Sequence, residues 1–184
     1  GKGQYAEGDI FLGLTDPEIK KIAKKYINLP LDQIKELLSS KIHDHRSTAL
    51  KILVENYQKI RNENIPLFYL QNLKHINNWD LVDMSAYKIL GKYLLNQDRS
   101  ILYKLAKSEN LWEKRIAIIS TFQFIRNNEF EDTLKISEIL LKDNHDLIHK
   151  AVGWMLRELG KKDEEVLCRF LDKHKHKMPR TMLR

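Results

Sequence analysis

Apolar residues at helical spacing, gathered into pairs of segments that recur roughly every 30 to 45 residues, constrain this chain more than any other feature. From His43 to Ile60, the residues Ala49, Leu50, Leu53, Val54 and Tyr57 keep helical spacing, and Pro66 to His75 reads as a shorter partner. Trp79 to Leu95 is followed by Ser100 to Ala106, Leu111 to Arg126 by Glu131 to Leu141, and Asp146 to Leu159 by Glu164 to Leu171. A small residue returns at corresponding points, Ala49, Ala86, Ala117 and Ala151, at spacings of 37, 31 and 34 residues. One helical hairpin cannot bury its own apolar face, so such pairs must stack on their neighbours. The pattern predicts an all-α superhelix, a solenoid of HEAT-like helical repeats, with a plain helical bundle as the competing fold. No stretch carries the alternation of a strand.

Ahead of the repeats, residues 1–14 hold four of the chain's seven glycines and read as a loop with special backbone geometry. Thr15 and Glu18 have the spacing of a capping box, with Pro17 in the first turn, and Ile19, Ile22, Ala23 and Tyr26 continue as an apolar stripe. A second short helix spans Leu31 to Ser39. With 184 residues and no apolar run near 18 long, the chain is expected to form one domain over 1–184 that does not cross a membrane. Lys and Arg number 32 against 25 for Asp and Glu, a formal charge of +7, which favours polyanionic partners through counterion release. The single cysteine, Cys168, stands among Val166, Leu167 and Phe170, so neither a disulfide framework nor a thiol metal site is expected, and a reducing interior is. His43 with His45, and His174 with His176, are two apart and would not share a helix face, so no metal site is expected; His174 to Lys177 reads as a solvated basic turn. Nucleotide-binding, serine-hydrolase and zinc-hydrolase signatures do not occur.

Chemistry concentrates in Asn77 to Ser85. Asn78 is placed to cap a helix whose early turns carry Asp80 and Asp83. Trp79 and Asp83, at i and i+4, share one face, so an indole stands beside a carboxylate, a combination suited to a cationic guest. In a solenoid the early residues of successive long helices line one surface. Those residues are His45 and Arg46, Trp79 and Asp83, Trp112 with Lys114 and Arg115, and Lys150, Trp154 and Arg157. Such a basic, aromatic-bearing face would cradle a nucleic-acid backbone. Trp112, between Leu111 and Ile116, reads as core, and Trp154, after Gly153, as exposed.

Four blocks then occur in order: Gly3-Gln4-Tyr5-Ala6-Glu7-Gly8-Asp9, Asn78-Trp79-Asp80-Leu81-Val82-Asp83, Trp112-Glu113-Lys114-Arg115-Ile116-Ala117-Ile118, and Lys150 through Gly160. In these blocks the chain resembles the AlkD-like DNA alkylation repair enzymes, HEAT-like repeat DNA glycosylases, over essentially its whole length. The resemblance implies hydrolysis of the N-glycosidic bond of cationic N3- or N7-alkylated purines, such as 3-methyladenine and 7-methylguanine, in base excision repair. Asp83 would be the catalytic carboxylate, Trp79 and Trp154 would flank the lesion's sugar, and Arg115 would hold its phosphate. Tyr5, Lys114, Lys150 and Arg157 are the expected DNA contacts. No metal and no organic cofactor are implied. The partner would be double-stranded DNA containing alkylated bases, bound by a monomer in a prokaryotic cytoplasm, at the nucleoid. Relatives carry a further helix before the position of Gly1 and a further repeat after that of Arg184, so the sequence is expected to be truncated at both ends. Two other readings use the same residues: a non-catalytic DNA-binding relative for distorted or branched DNA, and a HEAT-type protein scaffold.

Overall fold

The structure, a computed structural model, describes residues 8–183. Among them stand eleven α-helices: α1 (Asp16–Lys25), α2 (Leu31–Leu38), α3 (His43–Lys59), α4 (Ile65–Gln71), α5 (Trp79–Ala86), α6 (Ser100–Ala106), α7 (Leu111–Ser120), α8 (Phe122–Arg126), α9 (Glu131–Leu140), α10 (Asp146–Gly160) and α11 (Glu164–His174). No strand occurs among the described residues, only an isolated parallel bridge between Ile10 and Ile42. The all-α expectation holds. The chain divides into two compact units, Gly1–Ile89 and Leu90–Arg184.

In the first unit α1 and α2 pack on α3, and α3 packs on α5. The Glu18 carboxylate accepts from the Thr15 amide at 2.7 Å, as the capping spacing predicts. α4 is tied to α5 by the Tyr69 hydroxyl, fully buried and 2.9 Å from the Ser85 hydroxyl. In the second unit α7 packs on α6 and α10, and α10 on α9 and α11. All four recurring alanines, Ala49, Ala86, Ala117 and Ala151, are 0% exposed, so the repeat in the sequence marks where helices need a small residue at their contacts.

Two long helices are broken where the periodicity predicts continuity. The segment expected to run from Trp79 to Leu95 leaves α-geometry after Ala86, passes through a π turn at Tyr87–Gly91 and ends in a 3₁₀ turn at Leu94–Asn96. The segment from Leu111 to Arg126 breaks at Thr121, whose hydroxyl donates to the Ile118 carbonyl at 2.7 Å, a local bond that competes with the helix ladder. Cys168 is exposed despite its apolar neighbours. His174 is not part of a solvated turn: it is 6% exposed, with its ring centroid 4.5 Å from that of Phe170 and its Nε2 3.5 Å from Glu138.

Candidate functional site

The start of α5 is assembled from three places in the sequence. Trp79 opens the helix and is 42% exposed, and Asp83, four residues on, is half-buried on the same face. Asn78 occupies the N-cap position but its side chain does not cap. Its amide turns toward Asp9 at a long 3.5 Å, and its Oδ1, like that of Asn77, is buried with no hydrogen-bond partner among the described residues. Asp80 accepts from His43 Nε2, 3.1 Å from Oδ1 and 3.0 Å from Oδ2. His43 is 7% exposed beneath the Phe11 ring, whose centroid stacks 4.7 Å away. Of the two early acids of α5, Asp80 is therefore committed to a histidine 37 residues earlier.

The first turn of α3 supplies that histidine and two further clamps. Asp44, 4% exposed, accepts from the amides of Leu12 at 2.8 Å and Leu14 at 3.1 Å, which fastens the N-terminal loop across the helix start. Arg46 bonds Asp9 at 2.7 Å and the Ser40 carbonyl at 3.0 Å. At 3% exposure it is not the backbone-facing cation that the sequence predicts. His45 goes elsewhere, its Nδ1 3.1 Å from the Ser40 hydroxyl. His43, Asp44, Arg46 and Asp9 were not legible as partners of the site, because a charged run ahead of an apolar helix ordinarily marks a solvated helix start. Below α5, burial pushes the Tyr69 phenol well above its ordinary range, and the negative charge of Asp83 adds to that push. Tyr69 thus stays a neutral support beneath the carboxylate. An apolar groove of about 750 Å³ in this unit is lined by residues such as Leu12, Ile22, Tyr26 and Ile52, and neither Trp79 nor Asp83 borders it.

The predicted residues of the second unit fall into two groups. Asn110 caps α7 by accepting from the Trp112 amide at 2.8 Å. Trp112, expected in the core from its apolar neighbours, is only half-buried. Lys114 is bound to Asp143 at 2.5 Å, and Asp143 also accepts from the His145 amide at 2.8 Å. Burial works to raise the Asp143 carboxyl, but the Lys114 ammonium and the His145 amide outweigh it and hold the group below its usual range. Arg115 is 5% exposed, with one guanidinium N–H donating to the Leu147 carbonyl. The α10 residues stand further out. Trp154, expected to be exposed, is half-buried because its ring lies tilted at 45° against Phe122, with 5.8 Å between centroids. Lys150 pairs with Asp146 at 2.7 Å in a contact more than half solvated, and Arg157 is exposed. Tyr5 lies outside the described residues.

The family model described as DNA alkylation repair enzyme matches residues 2–184. A solved structure described as a predicted DNA alkylation repair enzyme from Enterococcus faecalis superposes with a TM-score of 0.74 at 18% identity, covering 97% of this chain and 87% of that one. At that identity the likeness shows a shared fold. No curated protein matches the chain. No helix among the described residues is long and apolar enough to cross a membrane.

Proposed function

Because the chain belongs to the DNA alkylation repair enzyme family, we propose that it is a DNA glycosylase releasing N3- and N7-alkylated purines from double-stranded DNA by hydrolysis. The observation that carries the reading is the start of α5: a half-buried Asp83 on the same helix face as the 42% exposed indole of Trp79. An alkylated purine of this kind is already a cation. When the bond from C1′ to the base nitrogen breaks, the electron pair leaves with the base, which departs neutral, so no general acid has to protonate it. The positive charge moves to the sugar. Asp83 stabilises that oxocarbenium-like centre and takes the proton of the water that attacks C1′, leaving an abasic site. Trp79 offers a π-face to the same developing charge, worth about 0.5 to 2 kcal/mol. One carboxylate is enough for a leaving group that carries its own charge, which fits the commitment of Asp80 to His43.

Trp154 and Arg115 keep the roles that the resemblance implies, an indole against the sugar and a guanidinium on the phosphate. Arg115 is 5% exposed and gives one N–H to the Leu147 carbonyl, so it supports that role as a guanidinium held at the start of α10. Single-turnover release of 7-methylguanine from a labelled duplex tests the reading, with duplex binding followed by salt titration. Asp83→Asn is expected to slow release at least about tenfold, roughly 1.4 kcal/mol of barrier, with binding preserved. Salt-sensitive duplex binding without any release by the parent protein would instead identify a non-catalytic DNA-binding relative. The solvated Lys150 and Arg157 are all that such a relative would require.

A further inference from the structure

The segment that follows α11 returns across the face of α10. Asp146, Lys150, Gly153 and Arg157 are spaced 4, 3 and 4 residues apart, so they form one stripe along that helix, with Trp154 on the adjoining face. The segment crosses the stripe at Gly153: a Cβ there would stand 2.7 Å from the Met182 carbonyl oxygen, so only glycine admits the approach. At one end the Asp146 carboxylate, held below its usual range chiefly by the Lys150 ammonium, has Thr181 beside it. At the other, Leu183 lines a small hollow of about 170 Å³ with Leu156 and Arg157. Buried Met178 and Met182 anchor the crossing, and a turn closes it, with the Met182 amide donating to the Pro179 carbonyl at 2.9 Å. Arg180, next to Thr181, is exposed, and no ion pair engages it among the described residues. The sequence offered no reason to group Arg180 with α10, because the grouping depends on a close approach that only Gly153 permits.

We propose that Pro179 to Leu183 form a strap that completes a phosphodiester-binding strip on α10, with Arg180 as its third cation beside Lys150 and Arg157. The proposal rests on DNA being the partner of this face. The strap's backbone blocks the middle of the stripe and leaves cations at both ends, so the ligand that fits is an extended polyanion spanning the strap. A single small anion would meet at most one end. Lys150 reaches a phosphate by exchanging Asp146 for it, and Arg180 needs no exchange.

The test uses the full chain and an undamaged fluorescent duplex, with affinity measured by anisotropy across a salt series. Arg180→Gln is expected to weaken binding severalfold at moderate salt and to flatten the slope of log K against log salt by about 0.9, one phosphate contact. Arg180→Lys should retain the parent slope, and neither variant should shift the melting temperature. Gly153→Ala displaces the strap, so adding Arg180→Gln to Gly153→Ala should produce no further loss, a non-additivity that a merely solvated arginine would not show. If the parent binds and releases base while Arg180→Gln keeps the parent slope, the strap proposal fails and the glycosylase reading stands. If the parent shows no salt-dependent duplex binding, both fall.

Discussion

α5 and α10 each open with a helix start, carry a tryptophan, and hold the residues on which the functional reading depends, yet they are built in opposite ways. α10 runs unbroken for 15 residues, and its cap and first ion pair are local: the His145 ring accepts from the Leu147 amide at 3.1 Å and Asp146 pairs with Lys150 one turn on. α5 keeps α-geometry for 8 residues before a π turn, and its supports are distant: Asp80 is held by His43 and Asn78 turns toward Asp9, 37 and 69 residues away. π turns occur frequently at functional sites. The difference separates two tasks. Phosphate-holding cations tolerate the mobility of a solvated helix face, whereas a reacting carboxylate must stand in one place, and long-range contacts fix that place.

The largest effect that would sharpen this contrast lies where the helical segment after α5 ends. A Cβ at Gly91 would collide with the Ser120 backbone carbonyl, which has nowhere to go, so Gly91→Ala is expected to destabilise by about 2 to 3 kcal/mol. At the end of α10, a Cβ on Gly160 would meet only the flexible tip of Leu167, so Gly160→Ala should change stability by less than about 1 kcal/mol. Urea midpoints compare the two. Equal losses would show that the end of α10 is packed as tightly as the end of the π turn, and the contrast would not extend to the C-terminal ends.

Removing the distant support comes next. His43→Ala takes the hydrogen bond from Asp80 and leaves a partly buried carboxylate without it, an expected loss of about 1 to 3 kcal/mol. Base release should slow with duplex affinity unchanged, and His43→Gln, which keeps a donor, should recover part of both losses. The matching change on the other helix, His145→Ala, removes a local cap worth about 1 kcal/mol and should leave base release unaltered. A drop in release of the same size for His145→Ala would dissolve the division between distant and local support.

A smaller effect depends on pH. Asp143 is held below its ordinary range in the folded protein, so its contribution is present above the unfolded value near 3.9 and is lost as pH falls through the folded value. Asp143→Asn should therefore cost about 1 kcal/mol at neutral pH, with the two proteins converging at the acid end of a stability series. It also releases Lys114, and stronger duplex binding by Asp143→Asn would identify that lysine as a DNA contact restrained by its own acid. Unchanged binding would confine Lys114 to a structural role.

Most helix starts were legible, because burying one face at helical spacing is a local requirement: all the helices except α8 begin within a residue of where the sequence pattern places them. The departures have causes that apolar spacing does not record. Thr121 and the π turn interrupt segments whose apolar spacing is continuous, since a hydroxyl bond and a tight glycine contact leave no trace in that spacing. For the site, Trp79 and Asp83 were readable because both lie on one helix face. The burial of His43, Asp44 and Arg46 was not readable, because the loop over them is held by the Leu12 and Leu14 amides and the Phe11 ring, contacts that leave no periodic pattern in the sequence. Cys168 errs in the other direction: its apolar neighbours are intermediate or buried, while the thiol faces out.

The smallest expected effect asks how freely the two cations on the α10 face exchange their partners. Lys150 and Asp146 are both more than half solvated, so their pair contributes no more than about 1 kcal/mol and is readily exchanged for a phosphate. The nearby carboxylate nevertheless offsets part of the lysine's charge. Arg157 is exposed, and no ion pair engages it among the described residues. In a salt titration of duplex binding, Arg157→Gln should flatten the slope by about 0.9 and Lys150→Gln by less, with stability altered by under about 0.5 kcal/mol in each. Equal slopes would mean that Asp146 leaves Lys150 entirely when DNA arrives, and that the pair serves only the free protein. A larger change for Lys150 than for Arg157 would place the strongest phosphate contact at the N-terminal end of α10 and weaken the assignment of Arg157.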